Sequence, residues 1–234
     1  MKSQIKGIFF DMGGTLVFPD PVRISAAFRS HLGVSVTKEQ CLEAIHAATV
    51  SLDRQLEVPS QKPGDWWIQY FTAILAHCSS GKMPAEDSTA AAFESLRAEH
   101  KVHNLWSYFD PETEELLNWL DDEGFFLGII SNSDGRVKAQ LREAALIDRF
   151  EFVLDSHEVG VEKPDAGIFK MALDASRLSP EEVLYIGDFV YIDGIGASRA
   201  GLLALIIDPL GQRAGWGFPT VKSLGEVRTW LESA

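Results

Sequence analysis

Ile5-Lys6-Gly7-Ile8-Phe9-Phe10-Asp11 is a short apolar run that ends in a carboxylate. Val183-Leu184-Tyr185-Ile186-Gly187-Asp188 repeats that form, Phe125-Phe126-Leu127-Gly128-Ile129-Ile130-Ser131 ends in a hydroxyl, and Leu203-Ala204-Leu205-Ile206-Ile207-Asp208 is a fourth such run. Runs this short, without alternation, suit strands buried on both faces, and so a parallel sheet with helices on either side. Helices are predicted between them. Asp110-Pro111 reads as an N-cap and first helical position, Leu116, Leu117 and Leu120 as the apolar stripe behind it, and Gly124 as its end. Ser179-Pro180-Glu181-Glu182 reads as a second helix start, with Glu182 placed to close a capping box. Strand–helix alternation from about Trp106 onward predicts an α/β fold of the doubly wound, Rossmann-like kind.

Between Leu16 and about Leu105 no strand-like run is found, and helical spacing takes over. Ile24, Ala27, Phe28, His31 and Leu32 form one stripe, and Trp67, Tyr70, Phe71, Ile74 and Leu75 another. Pro59 to Gly64 and Ser79 to Pro84 break the region into helices. The predicted organisation is an α/β core of residues 1–18 and 104–234, with an all-helical cap inserted at 19–103. No internal repeat or low-complexity tract is visible.

Composition limits the function. Of 234 residues, 46% are hydrophobic and 24% charged, the balance of a globular protein. With 21 basic and 34 acidic residues the net charge is −13, which argues against nucleic-acid or anionic-membrane binding but leaves room for a local phosphate pocket. Cys41 and Cys78 are too few for a disulfide framework or zinc cluster and read as buried small side chains. No apolar run approaches the ~20 residues that span a bilayer. Met1 to Gly7 carries two lysines, yet the apolar stretch behind them ends at Asp11, so it reads as a first strand rather than a signal peptide. The expectation is a cytoplasmic protein, monomer or homodimer.

In an open parallel sheet, ligands bind beyond the carboxyl ends of the strands. Three strand ends deliver Asp11, Ser131 and Asp188 there, and two converging carboxylates suit a hard divalent cation. Gly13-Gly14-Thr15 follows the first strand, and paired glycines let backbone N–H groups approach an anion.

Asp11-Met12-Gly13-Gly14-Thr15, Ser131-Asn132-Ser133, Lys163-Pro164 and Gly187-Asp188 followed by Asp193 occur in this order. Together they resemble the haloacid dehalogenase-like superfamily over nearly the whole chain. Val159-Gly160-Val161-Glu162-Lys163-Pro164-Asp165 and Gly187-Asp188-Phe189-Val190-Tyr191-Ile192-Asp193 look like its helical-cap branch of small-molecule phosphatases. The resemblance implies Asp11 as a nucleophile forming an aspartyl-phosphate. It implies Mg²⁺ held by Asp11, Asp188 and the Gly13 carbonyl. Ser131 and Lys163 would bind phosphoryl oxygens, with Gly14, Thr15 and the Asn132 amide in the same phosphate-facing shell. Asp193 would orient Lys163 or a metal-bound water, and the helical insert would be a mobile cap that selects a small phosphorylated metabolite.

One position departs from the family's phosphatases. Two residues after the nucleophile they carry a second Asp, the general acid and base; here it is Gly13. Such help is worth about 10²–10⁴-fold. Two branches without that Asp are alternatives: metal-independent dehalogenases, which lack a paired-Asp fourth motif like Asp188 and Asp193, and phosphonate hydrolases, which use a cap lysine (here Lys38, Lys62 or Lys82). A non-catalytic phosphate-binding relative is a third.

Other residues carry ordinary readings beside sharper ones. Trp66, Trp67, Tyr70 and Phe71 could stack on substrate, but at helical spacing they read as cap core. Arg23 and Arg29 could grip an anion, or be solvated. His100 and His103 read as a chance pair rather than ligands. Asp193 precedes Gly194-Ile195-Gly196-Ala197 and could also cap that helix. The loop Gly211 to Phe218, with Arg213 and Trp216, could edge the site.

Overall fold

The computed structural model describes residues 4–56 and 65–233. Lys62 and the break at Pro59 to Gly64 lie outside the described residues. The chain divides into two compact units, Met1–Leu16 with Phe109–Ala234, and Val17–Tyr108.

The first unit is built on a six-stranded sheet in the order β5-β4-β1-β6-β7-β8. These strands are β1 Gly7–Phe10, β4 Phe126–Ser131, β5 Phe152–Asp155, β6 Val183–Gly187, β7 Leu203–Ile207 and β8 Thr220–Val221. Every described pairing is parallel. Ile8, Phe9 and Phe10 are all fully buried although successive side chains point to opposite faces, so both faces of β1 are covered. On one face, Phe9, Ile130, Tyr185 and Ala204 pack with Ile168, Phe169 and Ala172 of α8 (Ala166–Ser176) and Ala197 of α9 (Gly196–Arg199). The remaining helices of this unit are α5 Thr113–Asp122, α6 Val137–Glu143, α7 Ser156–Val159 and α10 Gly225–Glu232.

The four predicted strands are present, and β5 and β8 add to them. Phe152 of β5 packs edge-on against Phe9 at 4.9 Å, which ties the outer strand to the core. Two predicted helix starts shift. The Asp110 side chain accepts from the Glu112 N–H at 2.8 Å, closing a turn around Pro111, so α5 begins only at Thr113. The capping box of Ser179 and Glu182 forms, but the residues between make a single 3₁₀ turn that runs straight into β6. Glu182 is also paired to Lys6 at the start of β1.

The second unit holds α1 Pro21–Leu32, α2 Lys38–Leu56, α3 Trp66–Cys78 and α4 Glu86–Val102. Apart from Pro19 at the end of a short strand, the described elements within 19–103 are helices. Val17–Pro19 (β2) and Trp106–Phe109 (β3) pair where the chain enters and leaves this segment. Such three- and four-residue strands are too short to show a period in sequence. Tyr70 and Phe71 lie in this unit's core with Trp67 half-buried beside them, whereas Trp66 is exposed; Trp67 meets Phe71 at 4.5 Å and His100 at 5.2 Å, and Tyr70 stacks on Trp106 at 6.0 Å. Trp67 Nε1 donates to the Phe93 carbonyl, and His100 Nδ1 accepts from the Leu105 N–H, so neither ring is a bare ligand. Arg29 and His31 are exposed.

Arg23 is neither a substrate grip nor a solvated charge. Its guanidinium donates to Glu99 at 2.6 Å and to the carbonyls of Asn104 and His103 at 2.8 and 2.7 Å, closing the C-terminal end of α4 onto α1. Arg23→Ala is expected to lower stability by about 1–3 kcal/mol, since two charge-assisted bonds to carbonyls are lost. Arg23→Lys should recover little of it, because one ammonium cannot reproduce the fork. Urea unfolding of both variants measures this.

Candidate active site

The chain order places β4 and β5 on one side of β1 and β6 to β8 on the other. The sheet's switch point therefore falls at β1, and the ends of β4, β1 and β6 bring Ser131, Asp11 and Asp188 to one edge. Asp11, Asp188 and Asp193 are all buried, with one oxygen from each lying within 4.8 Å of the others. Lys163 Nζ sits among them. It donates to Asp11 Oδ1 at 2.6 Å, to Asp193 Oδ1 at 2.7 Å and to the Tyr185 hydroxyl at 2.8 Å.

Each side chain is held by local structure. Asp193 lies in a π-helical turn, Val190–Ile195, that folds it back beneath β6, where Oδ2 accepts the Phe189 N–H at 3.0 Å. It therefore does not cap the following helix, whose cap position is Ile195. Lys163 is gripped through its main chain: Asn132 Oδ1 accepts its N–H and Asn132 Nδ2 donates to its carbonyl, both at 2.8 Å. One Nδ2 hydrogen is used on Lys163, which leaves Asn132 its other Nδ2 hydrogen and its main-chain N–H. Gly14 adopts φ +87°, and a Cβ there would lie 2.2 Å from Asp188 Oδ2, so backbone and carboxylate touch only because no side chain intervenes. Ser131 and Thr15 are buried beside them.

The three carboxylates are not equivalent. Both oxygens of Asp193 are bonded, as is Oδ1 of Asp11. Asp188 Oδ1 is buried with no hydrogen-bond partner among the described residues, and the same holds for Thr15 Oγ1. A buried, bare carboxylate oxygen is costly unless something binds it. The three carboxylates could hold a hard divalent cation. A phosphoryl group would fit the Thr15 hydroxyl.

Burial first, and then the Asp193 charge, raise the Asp11 carboxyl from its ordinary 3.8 to about 6, although Lys163 opposes this. Burial and the charges of Asp11 and Asp193 push Asp188 well up, with Arg213 and Lys163 pulling against them. Lys163 is raised: its burial favours the neutral amine, but Asp11 and Asp193 outweigh it. These shifts carry a sign. Folded Asp11 holds its proton more tightly than the unfolded chain does, so the stabilisation is full below about 3.8 and is lost as pH rises through about 6. In metal-free protein, the melting temperature of wild type relative to Asp11→Asn is expected to fall between pH 4 and 6.5. Parallel profiles would refute that.

Strand ends also supply carboxylates that do other work. Asp155 accepts from the His157 N–H at 3.0 Å and caps α7. Asp208 accepts from the N–H groups of Gln212 and Arg213 at 3.1 and 2.7 Å, pinning the loop after β7. Arg213, raised from sequence only by its position, is fully buried 3.5 Å from Asp208, and its charge favours the ionised form of Asp188. Tyr185 was not foreseen at all. A tyrosine within an apolar strand run carries no sequence signal for an active-site hydroxyl.

The family model described as haloacid dehalogenase-like hydrolase matches residues 5–201. The chain belongs to that family. Among haloacid dehalogenase-like hydrolases it is 37% identical over 203 residues to the glyceraldehyde 3-phosphate phosphatase of Pyrococcus furiosus, covering 85% of this chain and 79% of that one. To the haloacid dehalogenase-like hydrolase domain-containing protein 3 of Xenopus laevis it is 26% identical over 155 residues, spanning 66% of this chain and 62% of that protein. In fold, it is similar to a HAD phosphatase from Thermococcus onnurineus (TM-score 0.60, 24% identity, 97% and 98% of the two chains). It is also similar in fold to a 2-haloacid dehalogenase from Pseudomonas syringae (TM-score 0.57, 24% identity, 98% and 99%). No described helix of this haloacid dehalogenase-like hydrolase is long and apolar enough to cross a membrane.

Proposed function

We propose that the protein is a Mg²⁺-dependent phosphatase acting on a small phosphate monoester through an aspartyl-phosphate at Asp11. The observation that carries this reading is the pairing of Asp11, held by Lys163 at 2.6 Å, with Asp188, whose buried Oδ1 is bare. A buried carboxylate oxygen left bare beside Asp11 suits a bound cation, which the metal-independent dehalogenase alternative does not call for. The similarity to a glyceraldehyde 3-phosphate phosphatase supports the same substrate class.

In this reading, the Asp11 oxygen not bound to Lys163 attacks phosphorus, forming a P–O bond as the bond to the leaving alkoxide breaks. Lys163 stays on Asp11 Oδ1 and keeps the carboxylate ionised and aimed. Ser131, Thr15, Gly14 and the Asn132 N–H face the phosphoryl oxygens. A cation held by Asp188, Asp11 and the Gly13 carbonyl would screen one anion from the other when bound. Water then attacks the aspartyl-phosphate, releasing phosphate and restoring Asp11. Gly13 supplies no proton to the alkoxide, so substrates whose leaving group departs unprotonated are favoured.

The test is phosphate release from p-nitrophenyl phosphate and from a panel of sugar phosphates, with Mg²⁺ and with chelator. Halide release from 2-chloropropionate is measured alongside. Metal-dependent phosphate release is the expected result. Halide release indifferent to chelator would replace this reading with dehalogenation.

A further inference from the structure

We propose that Tyr185 is a positioning residue for Lys163, its buried hydroxyl holding the ammonium in register with Asp11. The kinetic consequence rests on the phosphatase reading; the structural one does not.

Tyr185 lies in the middle of β6, level with Phe9 of β1 and Ala204 of β7, and is fully buried in the apolar layer beneath α8 and α9. Its ring meets Phe169 edge-on at 5.0 Å. A phenylalanine would satisfy that packing. The tyrosine instead puts an oxygen into the core, which is unfavourable unless the hydroxyl is fully bonded. It is. The oxygen accepts from Lys163 Nζ at 2.8 Å, and its own proton has two acceptors at 3.1 Å, the Ile130 carbonyl and Asp193 Oδ1.

An ammonium has three protons, and here each has one destination: Asp11, Asp193 and Tyr185. Two carboxylates alone would leave Lys163 Nζ free to swing between them on its flexible stem. The third point removes that freedom. It also links the ammonium to the carbonyl of Ile130, the residue before Ser131, so one oxygen ties together the end of β4, the Lys163 loop and the turn carrying Asp193. Without the hydroxyl, Lys163 keeps its charge but loses its fixed position, and with it the aim of the Asp11 oxygen that it does not hold.

Tyr185→Phe keeps the ring and is expected to lower kcat about 10²-fold, the cost of a small misplacement of a reacting group, with KM nearly unchanged. The second readout needs no turnover. In ¹⁵N-lysine-labelled protein, the buried Lys163 ammonium should give a protected NH₃⁺ resonance, identified by its loss in Lys163→Met, and Tyr185→Phe should shift or broaden it. A lower melting temperature with kcat and this resonance both unchanged would mean that the hydroxyl is only structural, and would overturn the proposal. If wild type hydrolyses no phosphate, the phosphatase reading fails and the resonance alone decides. If Tyr185→Phe does not fold, 3-fluorotyrosine at position 185 keeps the ring and hydroxyl but weakens the lone pair; an unmoved resonance there is the overturning result.

Discussion

Asp11→Asn is expected to lose phosphatase activity by a factor on the order of 10⁴–10⁶, the range for removing the nucleophile of a covalent mechanism. Asparagine has nearly the same shape, and its carbonyl oxygen can still accept from Lys163, so the loss would not come from collapse of the site. The variant should even be the more stable protein above about pH 6 in the absence of metal. Ionised Asp11 is there a buried anion close to Asp188 and Asp193, only partly offset by Lys163, and this strain is what holds its carboxyl up at about 6. Phosphate-release assays and thermal melts on one preparation measure both effects. An active Asp11→Asn would remove Asp11 from the chemistry. An inactive variant that melts lower above pH 6 would remove the electrostatic argument but leave the catalytic one.

Gly13→Asp is expected to raise hydrolysis of alkyl phosphates, sugar phosphates among them, by about 10²–10⁴-fold, the usual contribution of a placed general acid. The backbone permits the change: Gly14 has a positive φ, and Gly13 does not. The gain should be absent for p-nitrophenyl phosphate, whose phenolate departs without a proton. Selectivity between the two substrates is thus the decisive quantity. An equal gain on both would show that the new carboxylate acts on something other than the leaving group. No gain on either would show that wild type already obtains that proton elsewhere.

Much of the core was legible because parallel strands buried on both faces must be written as short apolar runs. β1, β4, β6 and β7 are all such runs. Phe152-Val153-Leu154-Asp155 has the same form but only four residues, is half-buried for most of its length, and owes its place to Phe9. β2 and β3 were hidden because three or four residues show no period, and the 3₁₀ turn at Pro180 because a capping box does not report the length of what it starts.

By itself, the sequence determined the alternation of strands and helices and the order of Asp11, Ser131, Lys163 and Asp188 along the chain. These are local properties, written in apolar runs and breakers. What it could not do is rank carboxylates that look alike. Asp155 and Asp208 end strands just as Asp11 and Asp188 do, yet they are spent on backbone N–H groups, whereas Asp188 keeps a bare oxygen. Nor could it show that Asn132 grips the Lys163 main chain, or that the Tyr185 hydroxyl takes the third proton of Lys163. The last two depend on groups that meet across separations of 31 and 22 residues. Only the folded chain brings them within the 2.6–3.1 Å at which a hydrogen bond is made or missed.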